Sequence, residues 1–132
     1  TMNAENIYTV PELAKELNLT ERAIRFYESK GLLFPKRAGN TRIFNYKDRA
    51  RLIIIRRAKK LGFSLKDIKK YLDLYDVDQD HDEQTKLALK GVRERITHLE
   101  DQKEEINIVL SELKKLEKTL LSNSSRNKKS KL

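Results

Sequence analysis

The stretch TERAIRFYESKGLL, residues 20–33, decides how this chain folds. It holds a helix start, a short run of basic and aromatic side chains, and a glycine stop. Thr20 can cap the free amides of a first turn, Gly31 suits the left-handed backbone that ends a helix, and Lys30 suits the negative end of the dipole. Between these ends Ala23, Ile24 and Tyr27 can pack inward while Arg22, Arg25 and Phe26 stay accessible. Such a helix is of a size to enter a DNA groove. An ordinary amphipathic surface helix would read the same in isolation, so the flanking segments carry the decision.

Upstream, Thr9-Val10-Pro11-Glu12 is a capping box with proline in the first turn. It predicts a helix to about Leu17, with Val10, Leu13, Ala14 and Leu17 at helical spacing and Asn18-Leu19 as the turn into the helix opened by Thr20. This is a helix-turn-helix in outline. Downstream, Pro35, Gly39-Asn40 and the alternation Arg42-Ile43-Phe44 predict two short strands about a turn, a wing. Asn45, with Asp48 three residues on, then caps a third helix carrying Leu52, Ile53, Ile54, Ile55 and Ala58 and closed by Gly62. Ser64-x-x-Asp67 opens a fourth, with Leu65, Ile68, Tyr71 and Leu72 inward.

From about Asp82 to Leu121 there is no proline and only Gly91 interrupts, so one helix of roughly 40 residues, about 60 Å long, is predicted. Leu89, Ile96, Lys103, Leu110 and Glu117 fall seven apart, as do Val92, Leu99, Ile106, Leu113 and Leu120. Two interleaved heptad rows predict a two-chain coiled coil, with Leu89, Val92, Ile96, Leu99, Ile106, Leu110, Leu113 and Leu120 as dimerisation residues. Lys103 and Glu117 break one row. The heptads leave parallel and antiparallel pairing both open. The predicted fold is mainly α, in three parts: residues 1–77 as a winged helix-turn-helix head, 78–121 as linker and dimerisation helix, and 122–132 as a disordered basic tail.

The 132 residues carry a formal net charge of +9, unevenly placed. Residues 1–70 hold 17 Lys+Arg against 7 Asp+Glu; residues 71–121 hold 8 against 13. A basic head on an acidic stalk predicts a polyanion partner for the head alone. Cysteine is absent, which excludes disulfides and thiolate metal sites. No apolar run approaches the roughly 20 residues that span a bilayer and no signal-peptide core is seen, so no membrane partner and a cytoplasmic location are expected. The final Ser130-Lys131-Leu132 has the form of a peroxisomal address but reads better as the end of the tail.

Catalysis finds little support, and the chain is not expected to be an enzyme. His81 and His98 have no ligand-spaced partner, and no phosphate-binding glycine loop or catalytic triad stands out. Asp76-Val77-Asp78-Gln79-Asp80 begins like a calcium loop but has His81 at the sixth position and Leu87 at the twelfth, so it reads as an acidic linker. No metal and no cofactor are expected. The nucleic-acid set is much richer: Thr20, Arg22, Arg25, Phe26 and Tyr27 on the candidate recognition helix, Arg37, Asn40 and Arg42 on the wing, and Tyr46, Arg49, Arg56, Arg57 and Lys60 on the third helix. Cations and hydroxyls spread over a surface suit phosphates, and one narrow element suits base edges. Arg22 is the preferred base reader; Tyr27 is equally a core residue with its hydroxyl turned to phosphate.

Taken together, YTVPELAKELNLTERAIRFYESKGLL from Tyr8 to Leu33, the wing from Arg37 through Asn40-Thr41-Arg42-Ile43-Phe44-Asn45-Tyr46, and RRAKKLGFSLKDIKKYL from Arg56 to Leu72 resemble the MerR family of transcription regulators. The resemblance covers more than half the chain. It implies a winged DNA-binding domain and a homodimer joined by an antiparallel coiled coil. It also implies a palindromic operator in an overlong promoter spacer, bent and untwisted by the bound dimer so that RNA polymerase engages both promoter elements. Metal-sensing members use cysteines near the ends of the dimerisation helix, which this chain lacks. Drug-sensing members append a ligand domain, for which the segment after Leu121 is too short and polar. Leu74-Tyr75-Asp76-Val77-Asp78 resembles family members that regulate branched-chain amino-acid and acyl-CoA breakdown. An unidentified small-molecule effector would bind near Tyr71, Tyr75 and the partner's long helix. Two other readings compete: an architectural DNA protein of low sequence preference, and a coiled-coil adaptor whose basic head only solvates it.

Overall fold

The computed structural model describes residues 6–75 and 81–130, with the side chains of 128–130 excepted. The helix-turn-helix opens with α1, Val10–Leu17. Glu12 N donates to Thr9 Oγ1 at 3.4 Å and Thr9 N donates back to Glu12 Oε1 at 3.0 Å, the reciprocal box that the sequence predicts. Asn18, at φ 54°, ends it in the left-handed region. Next comes α2, Glu21–Ser29, where Thr20 Oγ1 accepts from Ala23 N at 3.0 Å. Gly31 follows at φ 77°, a backbone conformation that favours glycine, and a Cβ there would stand 3.3 Å from Lys69 Cε.

The wing is an antiparallel hairpin of β1, Lys36–Ala38, and β2, Thr41–Ile43, with Lys36 opposite Ile43, Arg37 opposite Arg42 and Ala38 opposite Thr41. Then α3, Tyr46–Lys60, starts at Asn45, whose Oδ1 accepts from Asp48 N at 3.0 Å while Asn45 N donates to Asp48 Oδ2 at 3.3 Å. The fourth helix, α4, covers Leu65–Tyr75, with Asp67 N donating to Ser64 Oγ at 3.1 Å. The last, α5, covers Asp82–Ser130.

One core draws on the four short helices and on the segments that flank the wing. Val10, Leu13 and Leu17 of α1, Ile24 of α2, Leu52 and Ile55 of α3, and Ile68 and Leu72 of α4 close around Leu32, Leu33 and Phe44. Fully burying a side chain such as Phe44 contributes about 1.5–3 kcal/mol. Two features were not foreseen. Tyr8 and Phe44 exchange backbone hydrogen bonds of 2.9 and 2.8 Å, which ties the entry to α1 to the end of the wing. Asp48, foreseen only as a cap, is 2% exposed; it also accepts from Phe34 N at 3.2 Å and pairs with Arg51 at 3.6 Å, so its buried charge is partnered.

The chain divides into two compact units, Thr1–Gly91 and Val92–Leu132. The first takes in the opening turns of α5: Gln84 is buried and its Nε2 donates to the Tyr71 carbonyl at 3.0 Å, and a Cβ on Gly91 would touch the Phe63 ring at 3.6 Å. In the second, α5 runs to Ser130, so residues 122–130 are helical rather than the disordered tail expected. No proline or glycine interrupts this stretch, and Arg126 favours the negative end of the dipole. Residues 76–80, expected to form an acidic linker, and Lys131-Leu132 lie outside the described residues. Among the described residues no helix is long and apolar enough to cross a membrane.

Candidate nucleic-acid interface

Each face of α2 does different work because its apolar residues share one side. Ile24 is fully buried and Ala23 and Tyr27 are half-buried. Arg22, Arg25 and Phe26 are exposed on the other side. Arg25 lies 3.6 Å from Glu21, a contact between half-exposed groups that is worth little and leaves the guanidinium free to exchange partners. Phe26 is 45% exposed, with Lys30 Nζ 5.4 Å from its ring centre and the Tyr27 ring 6.1 Å away. An exposed phenyl ring beside a lysine ammonium can meet a thymine methyl, as guanidiniums meet guanine edges.

The wing is fastened to this helix by charge. Glu28, near the end of α2 and only 21% exposed, accepts a hydrogen bond from Arg42 Nε and lies 3.6 Å from Arg37 Nη2. Arg37 remains half-exposed and Asn40 is exposed at the hairpin turn. Sequence reading passed over Glu28; its position one turn before Gly31 gave no signal of a partner in the wing.

The third group is less unified. Tyr46 is exposed at the first position of α3. Arg49 Nε donates to Glu16 Oε1 at 2.8 Å, which holds the Glu16 carboxyl below its ordinary value and the Arg49 guanidinium above its own. Arg56 Nη1 donates to the Leu17 carbonyl at 2.7 Å and so closes the C-terminal end of α1. Arg57 and Lys60 are exposed. Lys60 stands about 21 Å along α3 from Tyr46, so the helix does not bring the two together.

On α5 all eight aliphatic positions of the two heptad rows are exposed, from 42% at Val92 to 64% at Ile106. Val109 and Leu116, which the rows omitted, are exposed as well. With Ile106, Leu113 and Leu120 they make a 3-4-3-4 run, so the apolar stripe widens in the second half of the helix. Among the described residues no group of three acidic, histidine or cysteine side chains gathers to hold a metal ion.

A capped helix exposing arginines, a preceding helix set by a tight turn and a basic hairpin clamped beside them define a winged helix-turn-helix DNA-binding protein. Residues 8–74 match the family described as MerR HTH family regulatory protein, and residues 49–116 match MerR, DNA binding. The chain belongs to the MerR family and is a DNA-binding transcriptional regulator. It is 37% identical over 116 residues to the mercuric resistance operon regulatory protein of Pseudomonas fluorescens, covering 84% of this chain and 76% of that one. A MerR family regulator from Bacillus cereus shares the structure at TM-score 0.64 and 28% identity, over 80% of this chain and 76% of that one. HiNmlR, a MerR family regulator lacking the sensor domain, bound to promoter DNA, matches at TM-score 0.54 and 28% identity, over 72% and 80% of the two chains.

Proposed function

We propose that the chain acts as a homodimer on a palindromic operator within a promoter and controls transcription by distorting the DNA. In this reading α2 enters the major groove, Arg22 takes a guanine edge with two hydrogen bonds, and Arg25 and Phe26 meet neighbouring edges. Thr20, Tyr27, Arg37, Asn40, Arg42, Tyr46, Arg56 and Lys60 serve the phosphates. The observation that carries it is the exposed Arg22, Arg25 and Phe26 face on the same helix whose Glu28 holds both wing arginines. Residues 1–77 are the DNA-binding part, and residues 78–121 supply the dimer contact.

Charge supports the antiparallel orientation. A parallel coil would set Lys103 against Lys103 and Glu117 against Glu117 in the apolar seam, two like-charge pairs that reversing one chain separates. A two-fold dimer presents two symmetry-related copies of α2 and therefore suits a site of two inverted half-sites. Bending such a site costs of order 1–6 kcal/mol, which many phosphate contacts offset. The distorted spacer then lets RNA polymerase engage both promoter elements. An effector need bias one dimer geometry over another by a similar amount; with no cysteine, it is not a thiolate-bound metal. This role is non-enzymatic, needs no cofactor and belongs to the cytoplasm.

Selection of duplexes from a randomised pool by the purified protein tests this. The expected result is enrichment of an inverted repeat, bound about 10³-fold more tightly than scrambled sequence at physiological salt. An unenriched pool with a steep salt dependence would mark an architectural protein, and no retention of duplex an adaptor.

A further inference from the structure

The wing carries an electrostatic conflict that its own hairpin does not resolve. Arg37 and Arg42 are directly opposite each other across β1 and β2, an arrangement that like charges disfavour. The relief comes from another element: Glu28 of α2 accepts from Arg42 Nε with one carboxylate oxygen and stands 3.6 Å from Arg37 Nη2 with the other. One side chain, four-fifths buried, thus spans both strands of the wing and fixes them to the helix that faces the bases. A surface salt bridge is held loosely by two flexible chains, whereas a carboxylate shared by two guanidiniums on a hairpin defines a position.

We infer that Glu28 is a positioning residue for sequence recognition: it couples the wing to α2, so that the phosphate grip of the wing is made only in the register where α2 meets its bases. The inference rests on the operator reading above. Its consequence runs against simple charge counting. Neutralising Glu28 frees two guanidiniums and removes a negative charge from the DNA-facing side, which strengthens binding to any duplex. It also frees the wing from α2, so phosphate contacts no longer require the correct base register, and the selected palindrome loses its advantage.

The test compares wild type, Glu28→Gln and Glu28→Asp on the palindrome selected by the wild-type protein and on its scrambled counterpart, at two salt concentrations. Glu28→Gln should bind the scrambled duplex at least as well as wild type, with an equal or steeper salt dependence, while its preference for the palindrome falls about tenfold. Glu28→Asp keeps the charge but is one methylene shorter and cannot span both arginines. It should lose preference to a similar degree without gaining on scrambled DNA. Loss of fold in either variant would lower binding to both duplexes together and show in the thermal transition; the other variant then decides. A palindrome preference kept by a folded Glu28→Gln or Glu28→Asp overturns the inference alone, and a wild-type protein without any preference overturns the reading on which it rests.

Discussion

At the scale of single residues, the arginines of the first half are not equivalent, although the sequence presents them as one basic surplus. Arg22 and Arg25 stand exposed on α2, Arg42 is hydrogen-bonded to Glu28, Arg49 to Glu16 and Arg56 to the Leu17 carbonyl. Arg22→Ala should therefore relax base preference at one position of each half-site, costing about 1–3 kcal/mol of discrimination, with little change on scrambled duplex in the same binding titration. Equal losses on both duplexes would remove Arg22 as a base reader. The Glu16 pair makes a prediction about pH. Its carboxyl is held below its ordinary value by the hydrogen bond from Arg49, so the stability it contributes is present above the unfolded carboxyl's range and disappears as pH falls through the lower folded value. Because both side chains are more than a third exposed, the amount is below about 1 kcal/mol. Urea melts should place Glu16→Gln slightly below wild type at pH 7, with the gap closing as the carboxyl is protonated in acid; a gap that does not narrow would assign the effect to something other than this ion pair.

At the scale of elements, the helix ends were the most legible feature of the chain. Thr9 with Glu12, Thr20, Asn45 with Asp48, Ser64 and Gly31 each mark a boundary that the structure keeps, because caps are local chemistry written within four residues. Thr20→Ala should cost about 1 kcal/mol in chemical denaturation by leaving an amide of α2 unsatisfied. Gly31→Ala should cost at least as much, since a methyl at φ 77° is strained and crowds Lys69; an unchanged midpoint would show that this turn can rearrange. What escaped the sequence was long-range. The Tyr8–Phe44 bridge, the second role of Asp48 and the hold of Glu28 on the wing join residues that only the fold brings near. The end of α5 was misjudged for the opposite reason: a polar, serine-rich composition says little about helicity where nothing breaks the helix.

At the scale of the whole molecule, the same chain carries a basic surface in its first half and, on α5, an apolar stripe that one chain leaves in water. In the proposed dimer, a helix with eight aliphatic heptad positions exposed, and Val109 and Leu116 beside them, finds its stabilising surface on a second copy. Leu113→Glu should convert the protein to a monomer in sedimentation and weaken binding to the palindrome far more than to scrambled duplex, because one head grips only one half-site. The heptads were legible in the sequence; the widening after Ile106 was hidden, since Val109 and Leu116 fit a second register rather than the first. The most direct test of the whole account is the mass of the protein on its selected palindromic duplex, measured by analytical ultracentrifugation. Two chains per duplex, bound together without a stable one-chain intermediate, is the predicted result; one chain per duplex at saturation would contradict it.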